Sequence, residues 1–112
     1  MLVARVGDGA EVKPLLRVAE VRGLSSQQAE KGIPVHVHGV VTLPFWGKDV
    51  LWFVIQDDSG GICVNISEAR RLHIWHGDDA ALGQVRRGME VEMEGISHGG
   101  GFAPVILPQK LQ

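Results

Sequence analysis

The chain predicts an all-β fold, a small closed β-barrel, on two stretches that read as consecutive parts of one sheet. Val54-Ile55-Gln56-Asp57-Asp58-Ser59-Gly60-Gly61-Ile62-Cys63-Val64 is a strand, a tight acidic-glycine turn and a return strand, because two β-rich runs flank residues that tolerate positive φ. Gly88 to Gly95 is a one-sided strand, with Met89, Val91 and Met93 facing one way and Glu90, Glu92 and Glu94 the other. Composition agrees: 112 residues, 45% hydrophobic and 21% charged, match one ordinary globular domain with a single modest core.

Residues 1–14 mix small, polar and charged side chains and read as an N-terminal leader of low order, ahead of a domain spanning 15–112. Asp8 and Glu11 interrupt it, so it does not read as a secretory signal. Apolar residues become dense from Leu15 to Val21, which predicts a short strand packed on the barrel. Ser25-Ser26-Gln27-Gln28 has the spacing of a capping box, followed by a short helix over Ser26 to Lys31. Gly32 is placed to end that helix in a left-handed conformation, and Pro34 prevents its continuation.

Val35 to Leu43 alternates and predicts the first barrel strand, with Val35, Val37, Gly39, Val41 and Leu43 on one face and His36, His38, Val40 and Thr42 on the other. Gly39 in its middle lets such a strand bend. Pro44 to Asp49 is expected as a loop carrying Phe45 and Trp46. Val50 to Gln56 returns as the second strand and Gly61 to Ile66 is the third. Ser67 to His76 predicts a short helix capped by Ser67, with a further turn over Ala80 to Val85. Met89 to Ile96 is the fourth strand and Pro104 to Leu111 the last.

Strand, strand, strand, helix, strand, strand resembles the oligonucleotide/oligosaccharide-binding (OB) barrel. Gln56-Asp57 followed by Ser59-Gly60-Gly61-Ile62 and Val64 is similar to the corresponding segment of OB-type domains. Gly88, Val91 and Gly95 match their glycine-to-glycine strand, with Met93 in place of the usual second valine. The resemblance implies a five-stranded OB-like Greek-key barrel with a short N-terminal helix and a helical connection between the third and fourth barrel strands. A narrower likeness runs through Val21-Arg22-Gly23-Leu24-Ser25, Gly32-Ile33-Pro34-Val35, Gly39-Val40-Val41-Thr42 and Gly101-Phe102-Ala103-Pro104-Val105-Ile106. It resembles OB-like modules of bacterial multidomain proteins, including sensory regions of histidine kinases and accessory regions of secreted proteins. Those modules bring no motif-defined catalytic residues.

Aromatics supply the best lead to a site. Phe45, Trp46, Trp52 and Phe53 fall at the first two strands, where OB barrels present ligands. Alternation places Trp52 and Phe53 on opposite faces, so Phe53 is expected inside and Trp52 outward. Packing of Trp46 and Trp52 under a loop or against the helix near Trp75 is the plainer alternative. His36 and His38 share a strand face and are further candidate ligand-binding residues. With no cysteine pair or zinc-protease pattern beside them, they read as half-exposed histidines and not as metal ligands. Cys63, the lone cysteine, has no activating partner in sequence and reads as a structural thiol. Asp57 and Asp58 precede Ser59-Gly60-Gly61 and are expected to organise the turn.

These readings give no catalytic residue, no metal and no cofactor, and so a non-enzymatic OB-fold binding or interaction module of a bacterial, signalling-related multidomain protein. The expected partner is a protein or a small uncharged ligand. Single-stranded nucleic acid is the alternative, disfavoured by a net charge of −2 and by the row Glu90, Glu92 and Glu94. The basic pairs Arg70-Arg71 and Arg86-Arg87 read as solvated charges, although clustering of Arg86, Arg87, Lys48 and Trp52 would favour nucleic acid. No apolar run approaches the roughly 20 residues of a spanning helix, so no membrane insertion is expected. A complete gene product of this kind would be cytoplasmic; a segment of a sensor protein takes the compartment of its parent, which includes an extracytoplasmic one.

Overall fold

The computed structural model describes residues 4–6, 10–46, 51–101 and 103–112, with the side chains of all of these except 4–6, 10–12 and 46. Within the stretch read as a leader, β1 (Ala4–Val6) and β2 (Ala10–Val12) pair antiparallel.

The remaining strands are β3 (Pro34–Trp46), β4 (Leu51–Asp57), β5 (Gly60–Asn65), β6 (Glu90–His98) and β7 (Val105–Leu111), and they close in the order β3-β4-β5-β7-β6. Every pairing is antiparallel except that of β5 with β7 at Val64 and Ile106. Alternation decides what fills the interior. Val37, Val41, Phe53, Ile62, Val64, Val91 and Met93, the expected core, are each at most 3% exposed, and Val35, Ile55 and Ile106 join them.

A single long strand serves two neighbours. β3 pairs with β6 from Pro34 to Val40 and with β4 from Val40 to Trp46. Gly39 lies at that changeover, where a Cβ would stand 2.8 Å from the Gln56 carbonyl oxygen, so the close approach of β4 depends on glycine.

Among the described residues, four short helices cover the barrel: α1 (Val18–Arg22), α2 (Ser26–Ala29), α3 (Ile66–Arg71) and α4 (Asp79–Leu82). α2 carries the predicted capping box, with Gln28 N–H donating to Ser25 Oγ at 3.1 Å and Ser25 N–H to Gln28 Oε1 at 2.9 Å. Gly32 follows at φ 66°. Ser97 secures α2 to β6, its hydroxyl donating to the Ala29 carbonyl at 2.8 Å and accepting from Ile33 N–H at 2.9 Å. No helix among the described residues is long and apolar enough to cross a membrane.

Several local expectations are corrected. The strand expected over Leu15 to Val21 is instead a single bridge from Leu15 to Val35 followed by α1. Val18 and Val21, three apart, bury one helix side. Acceptors from distant sequence, Asp57 and Ser59, satisfy the first amides of that helix. Asn65, not Ser67, caps α3, accepting from Glu68 N–H at 3.0 Å. Ser67 has another task, its hydroxyl taking Leu51 N–H at 2.6 Å. Met89, expected to open the fourth strand on the same face as Val91 and Met93, precedes β6 and is 39% exposed.

Pro44–Trp46 continues β3 where a loop was expected. Leu43, expected inside, points out at 46% exposure. Pairing with Phe53, Trp52 and Leu51 of β4 extends the strand, and an irregularity turns Leu43 outward: Thr42 has no register partner, since Val41 pairs with Ile55 and Leu43 with Val54. One extra residue reverses the alternation beyond it.

Candidate functional site

The inserted Thr42 creates the candidate site. Before it, odd-numbered residues of β3 face the core; after it, Leu43 and Phe45 face outward together with Val54 and Trp52, their register partners on β4. Phe45 and Trp52 stack with ring centroids 5.1 Å apart and planes inclined by 13°, an offset arrangement favoured by aromatic quadrupoles. Phe45 remains 44% exposed, and Trp52 is half-buried. The outward expectation for Trp52 and the inward one for Phe53 both hold. Trp46 pairs with Leu51, and its side chain lies outside the described residues.

Along the same face, Val40 pairs with Gln56, and Val40, Leu43 and Phe45 are all exposed. The outward side chains of this ribbon, Val40, Leu43, Phe45, Trp52, Val54 and Gln56, are uncharged. At its barrel end the strip opens into a shallow groove of about 570 Å³ lined by His38, Gly39, Val40, Thr42, Gln56, Asp57 and Asp58.

Asp57 is committed to structure. Its Oδ1 accepts the backbone N–H groups of Ser59 at 2.7 Å and Gly60 at 3.2 Å, and Oδ2 accepts Val18 N–H at 2.9 Å. Ser59 Oγ takes Ala19 N–H at 2.9 Å, so the acidic turn caps α1 across the molecule. Burial pushes the Asp57 carboxyl upward, but the bonds from the Ser59 hydroxyl and the Val18, Ser59 and Gly60 amides outweigh it and hold it below its ordinary value. Asp58, in contrast, is free to meet solvent: its side chain is 84% exposed and touches Arg17 at 3.2 Å.

The two histidines lie toward β6. His36 Nε2 is 2.8 Å from Glu92 and its Nδ1 3.8 Å from Glu94, while His38 Nε2 is 3.8 Å from Glu90. The glutamate row is therefore the cross-strand complement of the histidines and not a bare acidic face. Both belong to the β3–β6 ladder, and His38 also lines the groove. The structure thus joins Phe45 and Trp52, places His38 at the far end of their strip, and leaves His36 apart.

The remaining candidates read as structural. Burial pushes the Cys63 thiol up, which lowers its thiolate fraction. Trp75 is half-buried against the core and donates its indole N–H to Asp79 at 3.1 Å, which also receives Arg70 at 2.8 Å. Arg71 pairs with Glu68, and Arg86 donates to the Gly83 and Val85 carbonyls. Lys48, the fourth member of the basic cluster considered from sequence, lies outside the described residues.

Sequence reasoning missed Val40, Leu43 and the groove. Pro44 was the available signal, since proline within a strand marks an edge or an irregular ladder.

No protein-family model matches the chain, and no curated protein matches it. Solved structures do. Asparaginyl-tRNA synthetase from Pyrococcus horikoshii matches 90% of this chain at TM-score 0.66 and 17% identity, the match spanning 23% of that synthetase. The S. pombe Stn1-ten1 complex matches 92% of this chain and 78% of its own at TM-score 0.68 and 12% identity. OBody AM1L10 bound to hen egg-white lysozyme matches 89% of this chain and 92% of its own at TM-score 0.65 and 18% identity. At these identities the likeness is one of fold: the chain is a five-stranded OB-type barrel with short helices on its surface.

Proposed function

We propose that this chain is a non-enzymatic binding module that holds a protein partner on the outward face of β3 and β4, within a bacterial, signalling-related multidomain protein. The observation that carries this reading is the Phe45–Trp52 stack, with Phe45 exposed, on an uncharged strip. Large aromatics are common anchors of protein interfaces, and here they are pre-positioned by a two-stranded ribbon. An OBody of the same fold is bound to lysozyme, and Stn1-ten1 is a complex, so OB barrels of this shape serve protein contacts. The multidomain, signalling part rests on the sequence resemblance alone.

Nucleic-acid binding is the weaker reading. Affinity for single strands draws heavily on phosphate neutralisation, and the strip's outward side chains carry no charge. Phe45 already covers part of one Trp52 ring face, which reduces the surface open to a base.

Titration of a fluorescent mixed-sequence single strand at about 150 mM salt tests the ordering. Binding weaker than about 10 µM is expected, unchanged by Trp52→Ala. Sub-micromolar binding abolished by Trp52→Ala overturns the protein-partner reading.

A further inference from the structure

We infer that the partner segment is an extended peptide carrying a large apolar residue and, four to six positions away, a lysine or arginine. The inference rests on the protein-partner reading above and gives it a chemistry.

The strip is asymmetric. One end is the Phe45–Trp52 ledge, which offers an apolar surface without a charge to satisfy. At the other end Asp57 and Asp58 line the groove, and Glu90 stands 3.8 Å from His38, which also lines it. The side chains of Asp58 and Glu90 are 84% and 72% exposed, so neither carboxylate is withdrawn into the fold. Arg17 meets Asp58 across solvent at 3.2 Å with its own side chain 55% exposed. Such a pair contributes little, and an incoming cation displaces it at small cost. Asp57 keeps its structural bonds and adds only its field.

Geometry sets the spacing. Trp52 and Gln56 are both outward on β4 and four residues apart, about 14 Å at the rise of a strand. Asp58 lies two residues beyond Gln56. An extended peptide has the same rise, so an apolar side chain on the ledge places a residue four to six positions along it over the groove. Leu43 and Val54 lie between these ends, a floor that accepts small or apolar side chains and repels acidic ones through desolvation.

The test is selection of a random dodecapeptide display library on the whole chain, followed by anisotropy titration of the enriched peptides at about 150 mM salt. Expected is enrichment of the stated pairing in either chain direction. Phe45→Ala should weaken the enriched peptides by about tenfold or more. Asp58→Asn combined with Glu90→Gln should weaken them about three- to tenfold, and this second loss should shrink at about 0.5 M salt. Both variants alter exposed side chains, and unchanged thermal melting checks that they fold. Peptides that depend on Phe45 but show no basic residue overturn this inference and leave the protein-partner reading standing. No enrichment, or enrichment indifferent to Phe45→Ala, overturns both.

Discussion

Asp57, at the end of β4, accepts the backbone N–H of Val18 at 2.9 Å, a bond across 39 positions of sequence that fixes the first turn of α1 to the barrel. Ser59 adds Ala19 N–H at 2.9 Å, and Arg22 donates back to the Gly61 carbonyl at 2.9 Å. The turn between β4 and β5 is therefore a docking point as well as a hairpin.

Asp57→Asn should cost about 1–2 kcal/mol at neutral pH, since an amide nitrogen cannot replace the oxygens that take the Val18 amide and the Ser59 and Gly60 amides together. The carboxyl is held below its ordinary value in the folded state. Its stabilising contribution is then complete above the unfolded-chain value of about 4 and is lost as pH falls through the lower folded value. Urea denaturation of both proteins from about pH 7 to pH 2 should show the variant with the shallower acid decline. Parallel declines would remove Asp57 from the acid response.

The β6–β7 pairing should fail at one methyl group. Its register shifts between Glu94 and Gly95, and a Cβ on Gly95 would collide with the Leu107 carbonyl oxygen and stand 3.0 Å from Pro108 Cα. Both are backbone atoms of β7, which leaves little to move. Gly95→Ala should cost more than about 2 kcal/mol, whereas Gly101→Ala, with nothing within 4 Å, should stay within about 0.5 kcal/mol. Equal melting temperatures for the two variants would contradict the contact.

Sequence reasoning reached what depends on near neighbours. The capping box at Ser25 and Gln28, the left-handed Gly32, the inward series Val35, Val37 and Val41, and the division of Trp52 from Phe53 all follow from residue type and period. It failed where the deciding partner is remote or an insertion breaks the period. Nothing near Val18 announces that Asp57 and Ser59 will cap a helix there, so dense apolar residues read as a strand. Asn65 and Ser67 are both good caps, and only the position of Leu51 gives Ser67 its other role. Thr42 resembles any strand threonine, yet its lack of a register partner on β4 turns Leu43 and Phe45 outward and makes the strip. The candidate site was thus legible as a set of aromatics, but its shape was not.

Burial should separate Val91 from Met89, two residues apart at the start of β6. Val91 is 3% exposed inside the barrel and Met89 39% exposed just before β6. Val91→Ala should destabilise by about 1–3 kcal/mol through lost transfer energy and a residual cavity. Met89→Ala should change stability by no more than about 0.5 kcal/mol. Chemical denaturation with unchanged slope is the measurement, and a Met89→Ala loss matching that of Val91→Ala would place Met89 in the core after all.

The ribbon itself offers the sharpest separation of packing from function. Phe53 is fully buried and Phe45 44% exposed, although both belong to the same pair of strands. Phe53→Ala should cost about 3–5 kcal/mol because it empties the barrel centre. Phe45→Ala removes only the stack on Trp52, an aromatic contact of about 0.5–1.5 kcal/mol beyond its area, and should leave a folded barrel. It should nevertheless change near-ultraviolet circular dichroism, because the Trp52 indole loses the ring 5.1 Å away. A folded Phe45→Ala protein with an altered aromatic spectrum shows that the stack is present in solution and is not required for the fold. Should Phe45→Ala unfold the chain as readily as Phe53→Ala, the stack is part of the core and the ledge is not available to a partner.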